Sequence, residues 1–167
     1  MNIEITKKMS CCAAVNAMAL IVKSATESQH KYISITGGIA AATDCKRLLV
    51  LRNTFAPGQD GKYTPIKSAA GYTLIPCTEE CRFPDFERVL YGPTAATKDA
   101  AIGQREFSAF VHAVYTLPEC SPCVNVDYLK EAFGVFGSGC KILYTTPRCP
   151  VQFQEGGLQL VIMPMTY

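Results

Sequence analysis

Apolar and polar positions alternate over residues 2–6, which predicts a short strand. Residues 10–22 are rich in Ala, Met and Leu with apolar side chains on most faces, the pattern of a buried helix. Ser10 is placed to cap it, although Lys7 and Lys8 just before it oppose the helix dipole. Residues 24–30 are a polar turn. Residues 31–36 alternate as a strand, Gly37-Gly38 turns it, and 39–52 supply a further strand or strand pair. Pro57-Gly58 and Asp60-Gly61 make 53–61 a loop. Residues 62–76 hold two short strands around Ala69-Ala70-Gly71. Residues 77–103, with Pro84, Pro93 and a small-residue run over 94–101, are the least regular stretch. They read as a connection with a short helical turn near 85–90.

Order then resumes. Residues 106–117 alternate in their middle and predict a strand. Residues 126–136 predict an amphipathic helix, with Asn125 or Asp127 at its start and Gly137-Ser138-Gly139 at its end. Residues 141–146 predict a strand, and 151–154 with 158–166 a hairpin around Gly156-Gly157. The order strand, helix, strands thus occurs twice, without sequence identity between the halves. The expected class is α+β. It is one domain of two such units, the first over about 1–76, a connection over about 77–104, and the second over about 105–167. Two such units can join edges into one continuous antiparallel sheet with both helices on one face.

Composition narrows the class. A chain of 167 residues, 49% apolar and 18% charged, has enough material for one domain with a real core. No apolar stretch approaches the ~18–20 residues that span a bilayer, and the first residues lack the layout of a signal peptide. A soluble, cytoplasmic protein without membrane partners is expected. The net charge is only +2, but residues 1–60 carry seven Lys and Arg against four Asp and Glu. Any nucleic-acid contact must therefore use a local patch.

Nine cysteines are many for this length and odd in number, and without a secretory context no disulfide framework is expected. Cys11, Cys12 and Cys45 sit among apolar neighbours and read as small core residues. Cys77/Cys81 and Cys120/Cys123 have ligand-like spacing, and a four-thiolate zinc site would need the two pairs to meet. Pro122 between the latter two reads equally as a turn. No phosphate-binding loop and no nucleophile elbow is present. His30 and His112 lack metal-ligand spacing, and His112 reads as a packed residue in an apolar strand. A Cys–His pair such as Cys45 with His112 is the remaining nucleophilic arrangement. Neither a catalytic set nor a cofactor is expected.

Three segments carry a resemblance. They are Ala42-Thr43-Asp44-Cys45-Lys46-Arg47-Leu48, the stretch Arg82-Phe83-Pro84-Asp85-Phe86-Glu87-Arg88-Val89-Leu90, and the terminal Val161-Ile162-Met163-Pro164-Met165-Thr166-Tyr167. Together they resemble the bacterial sliding clamp, the beta subunit of the replicative DNA polymerase. That family has a Thr-Asp-Gly-His-Arg-Leu stretch in its second domain. A Phe-Pro-Asp-Tyr-x-x-Val-Leu-Pro stretch leads to the third, which ends on a Met-Pro-Met strand. Val124-Asn125-Val126-Asp127-Tyr128-Leu129 is also similar to the start of the last clamp helix. The departures are Cys45 and Lys46, where the family often has Gly and His, and Tyr91-Gly92-Pro93 in place of an immediate Pro. In length the chain resembles the first half of the second domain joined to the second half of the third.

The resemblance implies a DNA-clamp fold and a DNA replication accessory protein without a catalytic site. It implies a pocket for the linear clamp-binding peptides of polymerase, loader or repair proteins. Leu48, Val89, Val161, Met163, Pro164 and Met165 would supply the apolar wall, and Thr43, Lys46, Arg47 and Arg88 the polar contacts. Without the family, Leu48, Val89 and Val161 read as core, and Asp44 with Lys46 and Arg47 as a hydrogen-bonded turn. Lys7, Lys8, Lys23 and Lys130 are the candidate contacts to double-stranded DNA, a thin lining that predicts weak, salt-dependent contact. Closing a ring from single domains requires about six copies, so self-association is expected. The alternatives are a decoy or regulator competing for clamp partners, and a cysteine-dependent metal or redox protein.

Overall fold

Ile3 and Ile5 are buried while Glu4 and Thr6 are exposed, and this alternation makes strand β1 (Ile3–Thr6). The computed structural model describes residues 1–78, 82–90, 96–100, 107–116, 123–136, 140–145 and 149–165. These fall into two units, Met1–Asp85 and Phe86–Tyr167. No helix among the described residues is long and apolar enough to cross a membrane.

In the first unit β1 is followed by α1 (Cys12–Ser24), a 3-10 turn at Ser28–His30, and strands β2 (Ile33–Thr36), β3 (Ile39–Thr43), β4 (Arg47–Leu51), β5 (Gly61–Lys67) and β6 (Gly71–Pro76). The strands are antiparallel in the order β1-β6-β5-β2-β3-β4. The register puts Tyr72 opposite Ile5, Leu74 opposite both Ile3 and Pro65, and Ala40 opposite both Ile35 and Leu51. These residues share the face that α1 covers with Ala14, Val15, Ala17, Met18, Ile21 and Val22. The small, fully buried Ala40 and Ala42 let the helix lie close to the sheet. Tyr72 marks the contact, its hydroxyl donating to Asn16 Oδ1 at 2.6 Å.

Two details depend on local backbone geometry. Ser10 does not cap α1. The cap position is Cys11, already in helical geometry and without a side-chain bond, because the entering turn does the work: Cys12 N–H donates to the Met9 carbonyl at 3.0 Å. Gly71 has φ +149°, and a Cβ there would collide with the Ile5 carbonyl oxygen, so the close approach of β1 and β6 requires glycine. After β6 the chain reaches Phe83, whose ring lies 5.9 Å from that of Tyr32, while Lys62 Nζ sits 5.2 Å from the same Tyr32 ring.

The second unit holds a 3-10 turn at Phe86–Arg88, β7 (Ala96–Ala100), α2 (Phe107–Tyr115), α3 (Val126–Phe136), β8 (Cys140–Tyr144), β9 (Val151–Glu155) and β10 (Leu158–Ile162). Its strands are antiparallel in the order β10-β9-β8-β7. The core is aromatic. Phe110 stacks on Phe153 at 5.4 Å, and Phe133 meets Phe110 edge-on at 5.6 Å. Asn125 is the start residue of α3: its Oδ1 accepts the Asp127 N–H at 2.8 Å and its carbonyl accepts from Leu129.

Three expectations are corrected here. Residues 107–115 form a helix and not a strand, because Phe110 and Val114 are buried at the four-residue spacing of a helix face. The strand of this unit is instead β7, inside the stretch read as irregular, where it pairs with β8 from Ala96 opposite Tyr144 to Ala100 opposite Cys140. His112 is exposed on α2 rather than packed in a strand. Gly137-Ser138-Gly139, expected to end α3, lie outside the described residues. In both units helix and antiparallel sheet pack into an α+β architecture, as expected.

Candidate functional site

The first candidate segment is the hairpin turn between β3 and β4. Thr43 pairs with Leu48, so Cys45 and Lys46 are the two central turn residues. Cys45 has φ +68°, in the left-handed region that favours glycine. Asp44 is the hub. Its Oδ1 accepts the Lys46 and Arg47 N–H groups, each at 3.0 Å. Its Oδ2 accepts from Arg47 Nε at 3.1 Å and lies 2.7 Å from the Ser24 hydroxyl at the end of α1. Arg47 Nη2 donates to Ser24 Oγ at 2.8 Å, and the Thr43 hydroxyl donates to the Arg47 carbonyl at 2.9 Å. The Asp44 and Arg47 side chains are 3% and 4% exposed, so their charges are spent on each other and on the turn. Of the candidate contacts in this segment, Lys46 is exposed, whereas Thr43, Arg47 and Leu48 are buried.

Cys45 is exposed at the tip of the turn, which corrects its expected place in the core; the positive φ turns the residue outward. Its neighbour within its own unit is His30. Cys45 Sγ lies 3.5 Å from His30 Nδ1, and Glu27 Oε2 lies 3.9 Å from the same nitrogen. His30 itself is 3% exposed. Partial desolvation of the sulfur, then the carboxylates of Glu27 and Asp44, push the Cys45 thiol pKa above its ordinary value. Fifteen residues separate the pair, and no sequence spacing signals it.

The second candidate segment follows β10. Val161 and Ile162 are fully buried, but Met163 and Met165 emerge 38% and 41% exposed, with Pro164 half-buried between them. The Met165 N–H donates to the Cys123 carbonyl at 2.7 Å, which fixes the segment at the entry to α3. Beside that point the Tyr115 hydroxyl donates to the Val124 carbonyl at 3.0 Å. Burial, then the nearby Cys123 thiol, push the Tyr115 pKa up. Sequence reasoning missed Tyr115 and Cys123 as the supports of this segment, because it placed Tyr115 on a strand. Arg88 closes the 3-10 turn of the same unit and is exposed, and Val89 next to it is 36% exposed. Thr166 and Tyr167 lie outside the described residues.

Among the candidate DNA contacts, Lys7, Lys8 and Lys23 are exposed, and Lys23 is in the last turn of α1. Lys130 Nζ is 2.7 Å from Asp127 Oδ1, a solvent-exposed pair that offsets its charge. Cys77 and Cys123 are half-buried, while Cys81 and Cys120 lie outside the described residues. Among the described residues no group of three His, Cys, Asp or Glu is placed to hold a metal.

These units carry the helix-on-antiparallel-sheet build of the bacterial sliding clamps, and the whole chain superposes on them. The beta subunit of DNA polymerase III from Borrelia burgdorferi matches with a TM-score of 0.65 at 14% identity, over 99% of this chain and 64% of that one. The Helicobacter pylori beta clamp, solved bound to a DNA ligase peptide, matches with a TM-score of 0.64 at 13% identity, over 99% and 66%. The beta subunit from Thermotoga maritima matches with a TM-score of 0.56 at 13% identity, over 100% and 66%. The chain therefore has the sliding-clamp fold while spanning somewhat under two thirds of the first clamp chain. No family model matches the sequence, and no curated protein does.

Proposed function

We propose that the protein is a sliding-clamp-like accessory protein of DNA replication. In this reading it binds linear clamp-binding peptides of polymerase, loader or repair proteins and has no catalytic site of its own. The observation that carries the reading is the pair Met163 and Met165, which leave a buried strand to stand 38% and 41% exposed on a segment fixed by main-chain bonding. Methionine is a soft, adaptable side chain suited to gripping an apolar peptide anchor. The clamp fold supports it, and one clamp of that fold was solved with a ligase peptide. Arg88, exposed in the same unit as the two methionines, is the proposed polar contact, whereas Arg47 acts by shaping its own turn. Lys7, Lys8 and Lys23 give at most weak, salt-dependent contact with double-stranded DNA. Cytoplasmic location and self-association belong to the same reading.

The test is a titration with a labelled peptide of the sequence bound by the Helicobacter pylori clamp. Met165→Asp is expected to weaken binding by about tenfold or more, with the thermal midpoint unchanged because the side chain is already exposed. Equal affinity in the variant removes this segment from the site.

A further inference from the structure

Helix α1 leaves one face incompletely covered. Asn16, Ala19, Leu20 and Lys23 recur at the spacing that sets helical side chains above one another, and Leu20 among them is 43% exposed. Opposite stands the β5–β6 hairpin, where Lys67 pairs with Tyr72 and Pro65 with Leu74 on the side turned to α1. Between helix and hairpin lies a cleft of about 380 Å³. Ala19, Leu20, Val22 and Pro65 supply apolar lining, and the exposed Lys23 and Lys67 supply two cations. No Asp or Glu lines it, and among the described residues neither ammonium is in an ion pair. The Tyr72 hydroxyl donates to Asn16 Oδ1, which leaves the Asn16 Nδ2 group, unpartnered among the described residues, as a third donor. Burial, then the Cys12 thiol, push the Tyr72 pKa up, so the phenol keeps its proton and the amide its orientation.

We propose that this cleft binds a small carboxylate with an apolar body. Its charged groups are both cationic and its open amide donates, so an anionic headgroup is matched and a cationic one repelled. The apolar lining gains only from a ligand that brings apolar surface of its own, which separates the site from one for a bare anion. Size sets the scale. Ligand pockets run from about 300 to 1,000 Å³, and this cleft lies near the lower end. It suits one short tail and not a partner helix ~10 Å across. Residues 43–48 do not line it, so the proposal stands whether or not the peptide-binding reading does. Lys23 is also a candidate DNA contact, and the test must separate the two roles.

The experiment titrates octanoate into the isotope-labelled full chain at neutral pH and follows the amide resonances. Saturable shifts are expected at Asn16, Ala19, Leu20, Lys23, Lys67 and Tyr72, with a Kd below about 1 mM. Octylamine, with the same tail and the opposite charge, is expected to leave these resonances in place. Lys23→Gln combined with Lys67→Gln is expected to weaken octanoate by about tenfold. Both lysines are exposed, so the double variant keeps the fold. Shifts spread over the chain, equal shifts with octylamine, or wild-type affinity in the double variant each overturn the proposal. Equal shifts with inorganic phosphate mean an adventitious ion only and overturn it too. Shifts with a short DNA duplex but not with octanoate give the cleft to nucleic acid, with the same consequence.

Discussion

Asp44 and Arg47 show how a short motif can serve geometry before it serves a ligand. Both side chains are almost fully buried, and the carboxylate holds two main-chain N–H groups, the guanidinium and the hydroxyl of Ser24. Arg47→Ala is therefore expected to cost about 3–5 kcal/mol, because it strands a buried carboxylate. Combining it with Asp44→Asn is expected to recover part of that loss, since the neutral amide no longer needs the cation. Urea unfolding of the two variants checks this, and equal midpoints for both would refute the pairing. The motif was legible in the sequence as a hydrogen-bonded turn. The burial of Arg47 was not, because nothing local indicates that Ser24, 23 residues earlier, closes around it.

At the scale of elements, periodicity spoke clearly where one face was apolar and the other wet. β1 and α3 follow from it, and α1, the β3–β4 pair and the β9–β10 hairpin from apolar runs bounded by turn residues. It failed at α2, where Val111, Ala113 and Tyr115 interleave with Phe110, His112 and Val114 and imitate an alternating strand. The helix forms because Phe110 and Phe133 pack against each other, a contact between residues 23 apart that no short window contains. β7 failed for the opposite reason: Ala96-Thr97-Lys98-Asp99-Ala100 has little apolar contrast, and its pairing with β8 makes it a strand. Gly71 tests a feature that the sequence did mark as a turn. Gly71→Ala is expected to lower stability by more than about 2 kcal/mol, since a Cβ would press on the Ile5 carbonyl and part β1 from β6. Hydrogen exchange of the β1 amides locates the damage, and intact protection there would show that the strands can shift to admit a methyl group.

For the whole molecule, fold and sequence carry different amounts of information. At 14% identity the chain superposes over 99% of its length on a clamp subunit from Borrelia burgdorferi, although no family model matches it. What the two chains share at that identity is the fold. Assembly belongs to this scale. Light scattering over a range of concentrations, with and without circular DNA, is expected to show a closed oligomer near about six copies if single chains form a ring. A monomer or dimer throughout would favour the competitor reading, in which partners are captured without encircling DNA.

The segment Met163-Pro164-Met165 is held at Met165 by a main-chain N–H on a main-chain carbonyl, a bond indifferent to which side chains flank it. Side chains at 163 and 165 can therefore drift under selection without releasing the backbone that presents them. Such a strip is an evolvable surface: its side chains can change one residue at a time while its position in the fold stays put.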